Sequence, residues 1–302
     1  MIVLTPNEMT KLDQKVIENG FESLLLMETA GRGTTEIIKE NYNRDNKILI
    51  LAGSGNNGGD GLVIGRLLDI CKYNVKIIIV GKEDKLNQDP LTNYKICKLR
   101  NIELEFFHKN SDLKQIEEAV KNNDLIIDSL LGTGLTGELR SPYLEIVKLI
   151  NESNKDVLAV DIPSGINGNN GHIEGVAVKA DKTVTMFLPK LGNILFPGAE
   201  YNGKLIIGDI GIYKKIISNL DLNNNWNEVR KEFEEHFSEK FTDINENLLT
   251  YSKSGEKLII EKNGKIRGEM PLHAASFKAS KICFEQNQIR FISDNSEYIY
   301  KR

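Results

Sequence analysis

The chain has 302 residues, of which 40% are hydrophobic, and a formal net charge of −4 at pH 7. This excess of acidic groups argues against a nucleic-acid partner, which needs a concentrated basic face, and no apolar run reaches the roughly 20 residues of a membrane-spanning helix. The three cysteines are widely spaced and odd in number. That usage favours reduced thiols over disulfides or a zinc site, so a cytoplasmic protein is expected.

Two helices are predicted before the first strand. Thr5 and Glu8 can form a capping box, and Pro6 suits the first helical position. A second helix, from about Ser23, carries apolar residues at helical spacing. Strands and helices then alternate, with strands predicted at 47–52, 75–80, 103–107, 124–130, 156–161, 183–187 and 204–208, and helices at 61–71, 90–100, 112–122 and 142–152.

Several of these strands are continuous apolar runs, such as residues 77–80, and do not alternate with polar residues. Such runs are typical of a parallel sheet that is covered by helices on both faces. We therefore expect an α/β fold, a Rossmann-like three-layer αβα sandwich with a mostly parallel sheet. Its ligand crevice should lie at the carboxyl ends of the strands.

The C-terminal part has a different pattern, and we place a domain boundary between residues 1–219 and 220–302. An amphipathic linker helix is predicted around Trp226, Val229, Phe233 and Phe237. Beyond it, Asn263-Gly264 between two strand-like runs predicts a hairpin. Further short runs at 282–284, 289–291 and 298–300 indicate a small antiparallel β appendage, in which no catalytic group is evident.

A glycine-rich segment follows the first predicted strand. Residues 53–58 satisfy G-x-G-x-x-G between a strand and a helix, the context in which backbone amides bind a pyrophosphate. However, Gly59, Asp60 and Gly61 follow where an apolar helix is usual, and Glu83 comes too late to serve as the acidic ribose contact. A hydride-transferring Rossmann domain is therefore disfavoured, and a turn that serves only packing remains an alternative.

Two more strand ends carry small or polar residues. Residues 132–137 repeat the glycine spacing after a strand that includes Asp128, and another strand leads to Asp161 and Ser164. Parallel strands end at one edge of a sheet, so these segments should share a crevice. Lys190, after the strand at 183–187, could reach a phosphate there or be an ordinary solvated lysine.

Asp128 and Asp161 each need a partner, because an unpaired carboxylate at the end of an apolar strand is penalised by desolvation. Each could simply cap a neighbouring helix or turn. Alternatively, one of them, with the Ser164 hydroxyl and the Asn57 amide, presents hard oxygen ligands to a cation, and the other is free for acid–base work. The low ligand charge favours a monovalent ion such as potassium.

Several segments resemble, in order and spacing, the YjeF N-terminal domain of the NAD(P)HX epimerase family over residues 1–215. They are NNGGDGLVIGRLL, DSLLGTGLTGELRSPY, AVDIPSGINGNNGHIEGVAVKADKTVTMFLPK and FPGAEYNGKLIIGDIGI, together with the early helix SLLLMETAGRG. The resemblance implies a Rossmann-like fold and an isomerase. Its activity would be metabolite repair, in which the R and S hydrates of NADH and NADPH (NADHX and NADPHX) are interconverted.

The resemblance also implies site residues and partners. Potassium would be bound by Asn57, Asp128 and Ser164. Substrate contacts carry over to Asn56, Asn57, Gly58, Gly59, Asp60, Gly132, Thr133, Gly134, Leu135, Thr136, Gly137, Glu138 and Asp161. A homodimer is expected. In many bacterial members of the family a kinase-like dehydratase domain follows, but here fewer than about 90 residues remain after the sheet, too few for such a domain. A separate chain should therefore supply the dehydratase.

Asp161 is the catalytic candidate. The hydroxyl of the hydrate is on the carbon beside the ring nitrogen, whose lone pair can expel it, and Asp161 would protonate it and later activate water. Two rival functions remain open. One is a nonenzymatic nucleotide-binding or scaffold module, although the acidic residues at the strand ends are present. The other is a small-molecule kinase, although no Walker lysine follows either glycine loop.

Overall fold

A computed structural model describes residues 3–135, 137–208 and 210–211, together with six strands between residues 249 and 301. The first part holds seven helices and seven strands. The helices are α1 (Pro6–Glu18), α2 (Ser23–Asn41), α3 (Asn56–Ile70), α4 (Gln88–Leu99), α5 (Lys114–Asn122), α6 (Tyr143–Glu152) and the short α7 (Leu191–Ile194). The strands are β1 (Lys47–Ala52), β2 (Asn74–Val80), β3 (Glu103–Phe107), β4 (Leu125–Ser129), β5 (Asp156–Val160), β6 (Lys182–Met186) and β7 (Lys204–Gly208).

The seven strands form one sheet in the order β3-β2-β1-β4-β5-β6-β7, and every neighbouring pair is parallel. The chain builds outward from β1 to β3 and then returns to the middle at β4. The strand order therefore reverses between β1 and β4, which is where doubly wound sheets bind their ligands. The predicted α/β fold is confirmed, and its main crevice belongs at the carboxyl ends of these two strands.

Both faces of the sheet are buried, which explains the continuous apolar runs. In β1, Ile48 and Ile50 pack into the core beside α1 to α4, whereas Leu49 and Leu51 pack on the opposite face beside α5 and α6. All four side chains are completely inaccessible to solvent. A strand that is buried on both sides has no place for polar residues, so alternation is lost.

The start of α1 has the expected capping box. The Thr5 hydroxyl accepts a hydrogen bond from the Glu8 amide at 3.1 Å, and the Thr5 amide donates to the Glu8 carboxylate at 2.7 Å. Residues just before α1 are tied to a distant segment, since the Leu4 amide donates to the Pro189 carbonyl and the Leu191 amide donates to the Leu4 carbonyl. This pairing fixes α1 beside the segment that carries Lys190.

Helix α3 begins five residues earlier than predicted, at Asn56 and not at residue 61. Residues 56–60 therefore form its first turns and are not a loop. The glycines allow this, because a Cβ on Gly58 would lie 1.9 Å from the Gly53 carbonyl oxygen and one on Gly61 would lie 2.1 Å from the Ser129 hydroxyl. Close packing against the ends of β1 and β4 outweighs the low helix propensity of an Asn- and Gly-rich sequence.

The C-terminal strands form two three-stranded antiparallel sheets. The first has the order β10-β9-β8 and the second β11-β12-β13. Their bounds are β8 (Leu249–Ser254), β9 (Lys257–Lys262), β10 (Lys265–Pro271), β11 (Lys281–Glu285), β12 (Gln288–Ser293) and β13 (Ser296–Lys301). Lys262 pairs with Lys265, which confirms the predicted hairpin across residues 263–264. The β-rich appendage is thus confirmed.

Two predictions fall outside the described residues. The amphipathic linker helix around Trp226, Val229, Phe233 and Phe237 lies there, and so does the domain boundary at residue 219. Among the helices that the structure describes, none is long and apolar enough to cross a membrane.

Candidate active site

An open cleft of about 730 Å³ lies at the carboxyl ends of β1, β4 and β5. Its walls come from the start of α3, the segment after β4, and helices α1 and α2. Eight of the predicted substrate contacts line it, namely Asn56, Asn57, Asp60, Gly132, Thr133, Gly134, Leu135 and Asp161. The three strand ends that were expected to share a crevice therefore do so.

Other predicted contacts lie elsewhere. Gly58 and Gly59 are buried inside α3, where Gly59 faces the Met27 side chain of α2, and their close packing replaces the loop that was predicted for them. Gly137 and Glu138 are exposed and are not among the described residues that line the cleft. Thr136 lies outside the described residues. Contacts from these positions to a substrate stay predictions.

Asp128 and Ser164 form a buried hydrogen-bonded pair beneath the cleft floor. The Ser164 hydroxyl donates to Asp128 Oδ1 at 2.6 Å and the Ser164 amide donates to Oδ2 at 2.8 Å, while the Leu130 amide donates to Oδ1 at 3.2 Å. Burial raises the pKa of Asp128 to about 6, and these hydrogen bonds oppose the rise. Asp128 thus fixes the segments after β4 and β5 relative to each other, as the capping alternative anticipated.

Asn57 joins the same group from α3. Its Nδ2 donates to the Leu131 carbonyl at 2.9 Å, but its Oδ1 is buried and has no hydrogen-bond partner among the described residues. A buried oxygen without a partner is unusual, and a bound cation is one way to satisfy it. The Ser164 hydroxyl and the Asp128 carboxylate belong to the same group, so all the candidate ligands are oxygen atoms. Together they carry one formal negative charge. This set fits a monovalent cation better than a transition metal.

Lys190 is not a solvated lysine, so that alternative is wrong. Its side chain is only 2% exposed, and it forms an ion pair with Asp161, whose side chain is 16% exposed. Nζ also donates to the Thr185 hydroxyl at 3.2 Å and to the Met186 carbonyl at 3.3 Å. A buried ammonium group needs such partners, so Lys190 is committed to Asp161 and not primarily to a phosphate.

Asp161 itself is held in an uncommon backbone conformation. Its φ is +69°, in the left-handed region that non-glycine residues seldom adopt. Its amide donates to the Val184 carbonyl at 2.7 Å, and its carbonyl accepts from Asn193 Nδ2 at 3.1 Å. Backbone strain of this kind concentrates at functional sites, and here it turns the carboxylate toward Lys190 and the cleft.

Three further carboxyl groups line the cleft, from Asp13, Asp60 and Asp89. Burial is the main cause that raises the pKa of Asp13 to about 6, and the negative charge of Asp161 adds to the rise while Lys190 opposes it. Burial likewise raises the pKa of Asp60 well above its ordinary value. Asp13 was not predicted as a site residue from the sequence. Its position between the buried Leu12 and Val16 of an amphipathic helix was the available signal.

The start of α3 has free backbone donors. Gly55 is its N-cap and offers no side-chain acceptor. The first amides of a helix have no partner within the helix, and the helix dipole places partial positive charge there. Since Asn56 and Asn57 line the cleft, this end of α3 can receive an anionic group such as a diphosphate.

Comparison with known proteins assigns the chain to a sequence family. The family model described as "YjeF-related protein N-terminus" matches residues 23–192. The NAD(P)H-hydrate epimerase of Lentilactobacillus buchneri is 38% identical over 213 residues, which cover 70% of this chain and 95% of that protein. The NAD(P)H-hydrate epimerase of Limosilactobacillus fermentum is 38% identical over 212 residues, or 70% of this chain and 98% of that protein.

Two other similarities concern length and fold. The bifunctional NAD(P)H-hydrate repair enzyme of Thermofilum pendens is 36% identical over 218 residues, but this chain spans only 41% of it. A crystal structure of the yeast protein YNL200c superposes with a TM-score of 0.57 at 21% identity, over 64% of this chain and 83% of that one. This structural likeness supports the Rossmann-like sandwich.

Proposed function

Since the chain belongs to the family of YjeF-related protein N-termini, we propose that it is an NAD(P)H-hydrate epimerase, an isomerase that interconverts the R and S hydrates of NADH and NADPH. The observation that carries this proposal is the cleft itself. Three strand-end segments converge there on the Asp161–Lys190 pair, and all of them lie within residues 23–192, which match the family model. The repair role follows, because water can add to either face of the planar ring carbon and so gives both epimers.

The orientation of the substrate can be inferred from two parts of the cleft, the start of α3 and the region around Asp161. The diphosphate suits the amides at the start of α3, and Gly132, Thr133 and Gly134 offer a wall without bulky side chains. The hydrated nicotinamide ring would then lie near Asp161. Holding the diphosphate fixes the ring relative to the carboxylate, which is how remote binding energy lowers the barrier for a small chemical change.

The reaction needs proton transfer at one carbon. The hydroxyl on the carbon beside the ring nitrogen leaves as water when it is protonated, while the nitrogen lone pair forms the C=N bond. Water then adds to the planar carbon from the other face and gives up a proton. Asp161 is our candidate for acid–base work at this centre, and Lys190 is a positioning residue that holds its carboxylate.

We propose that potassium occupies the group formed by Asn57, Asp128 and Ser164. The uncommitted Asn57 Oδ1 is the support for this assignment. When bound, the ion supplies positive charge that offsets the buried carboxylate and joins α3 to the segments after β4 and β5. No proton transfer requires it.

Potassium should therefore stabilise the fold. At K⁺ concentrations of about 10 to 100 times Kd, the free energy of unfolding should rise by roughly 1–3 kcal/mol relative to tetramethylammonium at equal ionic strength. Thermal unfolding in the two salts measures this. The Asn57→Ala variant should lose the difference, and Asn56→Ala, on the exposed neighbour, should keep it. Equal Tm values for the unchanged protein in both salts contradict the assignment.

We further propose two partners. Ile17, Leu24 and Leu25 are exposed apolar residues on α1 and at the start of α2, and a second copy of this chain could cover them in a homodimer. Some relatives are bifunctional repair enzymes, and this chain spans about two-fifths of the one from Thermofilum pendens. A dehydratase acting with this chain would consume the S epimer, which draws the R epimer through the cleft.

The test of the proposed function uses a mixture of R and S NADHX with an S-specific dehydratase. Without this protein, the dehydratase should consume only the S form. The R form should then disappear only as fast as it epimerises spontaneously. With catalytic amounts of it, both forms should be consumed. If the R form is consumed no faster, the enzyme assignment fails and a nonenzymatic binding module of the same fold is the better description.

A further inference from the structure

The cleft holds more carboxyl groups than the proposed mechanism uses, since that mechanism needs only Asp161. Among the described residues, Asp13 from α1, Asp60 from α3, Asp89 from α4 and Asp161 after β5 line it, together with the ammonium group of Lys190. These carboxyl groups differ in their partners. Asp161 is engaged by Lys190, by the Thr185 hydroxyl at 3.4 Å and by the Met186 amide at 3.3 Å.

Asp13 is the opposite case. None of the described residues forms a hydrogen bond with its carboxyl group, and the interactions that act on it are burial and the more distant charges of Lys190 and Asp161. It is partly buried, with Leu12 and Val16 of the same helix in the core. A carboxyl group that faces a ligand cleft without a protein partner is available to a ligand.

On the premise of the proposed function, we infer that Asp13 is a second catalytic residue. Asp13 donates a proton to the leaving hydroxyl, and Asp161 accepts a proton from the incoming water. The difference in surroundings supports this division of labour. Asp161 is paired with the Lys190 ammonium group. Asp13 is partly buried and has no hydrogen-bond partner among the described residues, and partial burial favours its neutral acid. Pairs of carboxyl groups with such contrasting environments are a recurrent basis for acid and base roles.

The proposed step balances without any further reactant. Asp13 transfers its proton to the hydroxyl oxygen as the carbon–oxygen bond breaks, and the bonding electrons leave with water. The nitrogen lone pair completes the C=N bond. A water molecule then attacks the other face of the carbon. A lone pair of the water forms the new C–O bond, the C=N π electrons return to nitrogen as its lone pair, and a proton of the water passes to Asp161. Exchange with solvent through the open cleft restores both groups.

This division of labour predicts a specific pH dependence. Five titratable or charged groups line the cleft with Asp13, namely Asp60, Asp89, Tyr143, Asp161 and Lys190. The acid must be protonated to act, so kcat should fall about tenfold per pH unit above the pKa of Asp13, which is about 6. Asp13→Asn should lower kcat by about 10²-fold at pH 6 and abolish this alkaline decline. The R/S ratio, followed directly by chromatography, gives kcat from pH 5 to 9.

Two controls keep the outcome clear. Glu18→Gln removes an exposed carboxyl group from the same helix and should leave kcat and its pH profile unchanged. Asp60→Asn should weaken binding but keep the alkaline decline. If Asp13→Asn changes only KM, or if the decline disappears in Asp60→Asn instead, Asp13 is not the acid. An inactive unchanged protein is a different result, because it rejects the proposed function itself.

Folding of the variant is checked by its stability. The folded-state pKa of Asp13 is raised from 3.8 to about 6. Its favourable contribution to the free energy of unfolding is therefore fully present below pH 4 and is lost as the pH rises through 6. Asp13→Asn should accordingly unfold at a higher temperature than the unchanged protein at pH 8, with a smaller difference at pH 4. A variant that is less stable at pH 8 overturns the inference, since Asp13 would then be stabilised as an anion.

Discussion

Replacing Asp161 by Asn should reduce epimerisation by about 10³-fold or more, because an amide can neither take up nor deliver the proton at neutral pH. The change is nearly isosteric and keeps an oxygen that can accept a hydrogen bond. Asn also tolerates the left-handed backbone, so the φ of +69° at this position is not a reason to misfold. The measurement is kcat for the conversion of the R epimer to the S epimer.

The structure adds a consequence that the sequence did not indicate. Asp161→Asn leaves the buried Lys190 ammonium without its counterion, and removal of one member of a buried ion pair destabilises a fold. A loss of about 1–3 kcal/mol in the free energy of unfolding is expected. The loss is moderate because Asp161 is partly exposed and the amide oxygen of the variant still accepts a hydrogen bond. Urea unfolding measures it.

A double variant separates the two effects. Asp161→Asn combined with Lys190→Met removes both charges, so it should recover much of the lost stability without recovering activity. Asp156→Asn, on the exposed residue that begins the same strand, is the matched control and should change neither property. Near-normal kcat in Asp161→Asn, or restored activity in the double variant, would show that Asp161 is not part of the chemistry.

The sheet could be predicted closely from the sequence because its signals are local. The strands β1, β3 and β7 begin and end where they were predicted, and the others differ by at most one residue at either end. Continuous apolar runs and the capping box at Thr5 act over a few residues each. The hairpin around residues 263–264 was predictable for the same reason.

The start of α3 and part of the site could not be predicted in this way. Asn56 to Asp60 has the composition of a turn, and only packing against the ends of β1 and β4 makes it helical. Similarly, Lys190 is buried because Asp161 lies beside it, 29 positions away in the sequence. Asp13 joins the cleft only because Leu4 pairs with the segment near Lys190.

Replacing Gly58 by Ala should strongly destabilise the protein. In an exposed helix this change would add about 1 kcal/mol of stability, because glycine has greater freedom in the unfolded chain. Here the new Cβ would lie 1.9 Å from the Gly53 carbonyl oxygen and 2.6 Å from its carbonyl carbon. These are backbone atoms that no rotamer change can move, so α3 must shift away from β1. Overpacking of this kind should give a net loss of about 2–4 kcal/mol, read as a fall in Tm of roughly 5–15 °C.

Gly134→Ala is the matched control, because a Cβ at Gly134 has no atom within 4 Å and its φ is not positive. Its stability should change by less than about 0.5 kcal/mol. Gly58→Ala should also reduce activity in whatever fraction stays folded, since a shift of α3 moves Asn57 and the amides that face the cleft. If Gly58→Ala unfolds at the same temperature as the unchanged protein, α3 does not pack this closely on β1. The amides at its start would then be too far from the cleft floor to hold a diphosphate beside Asp161.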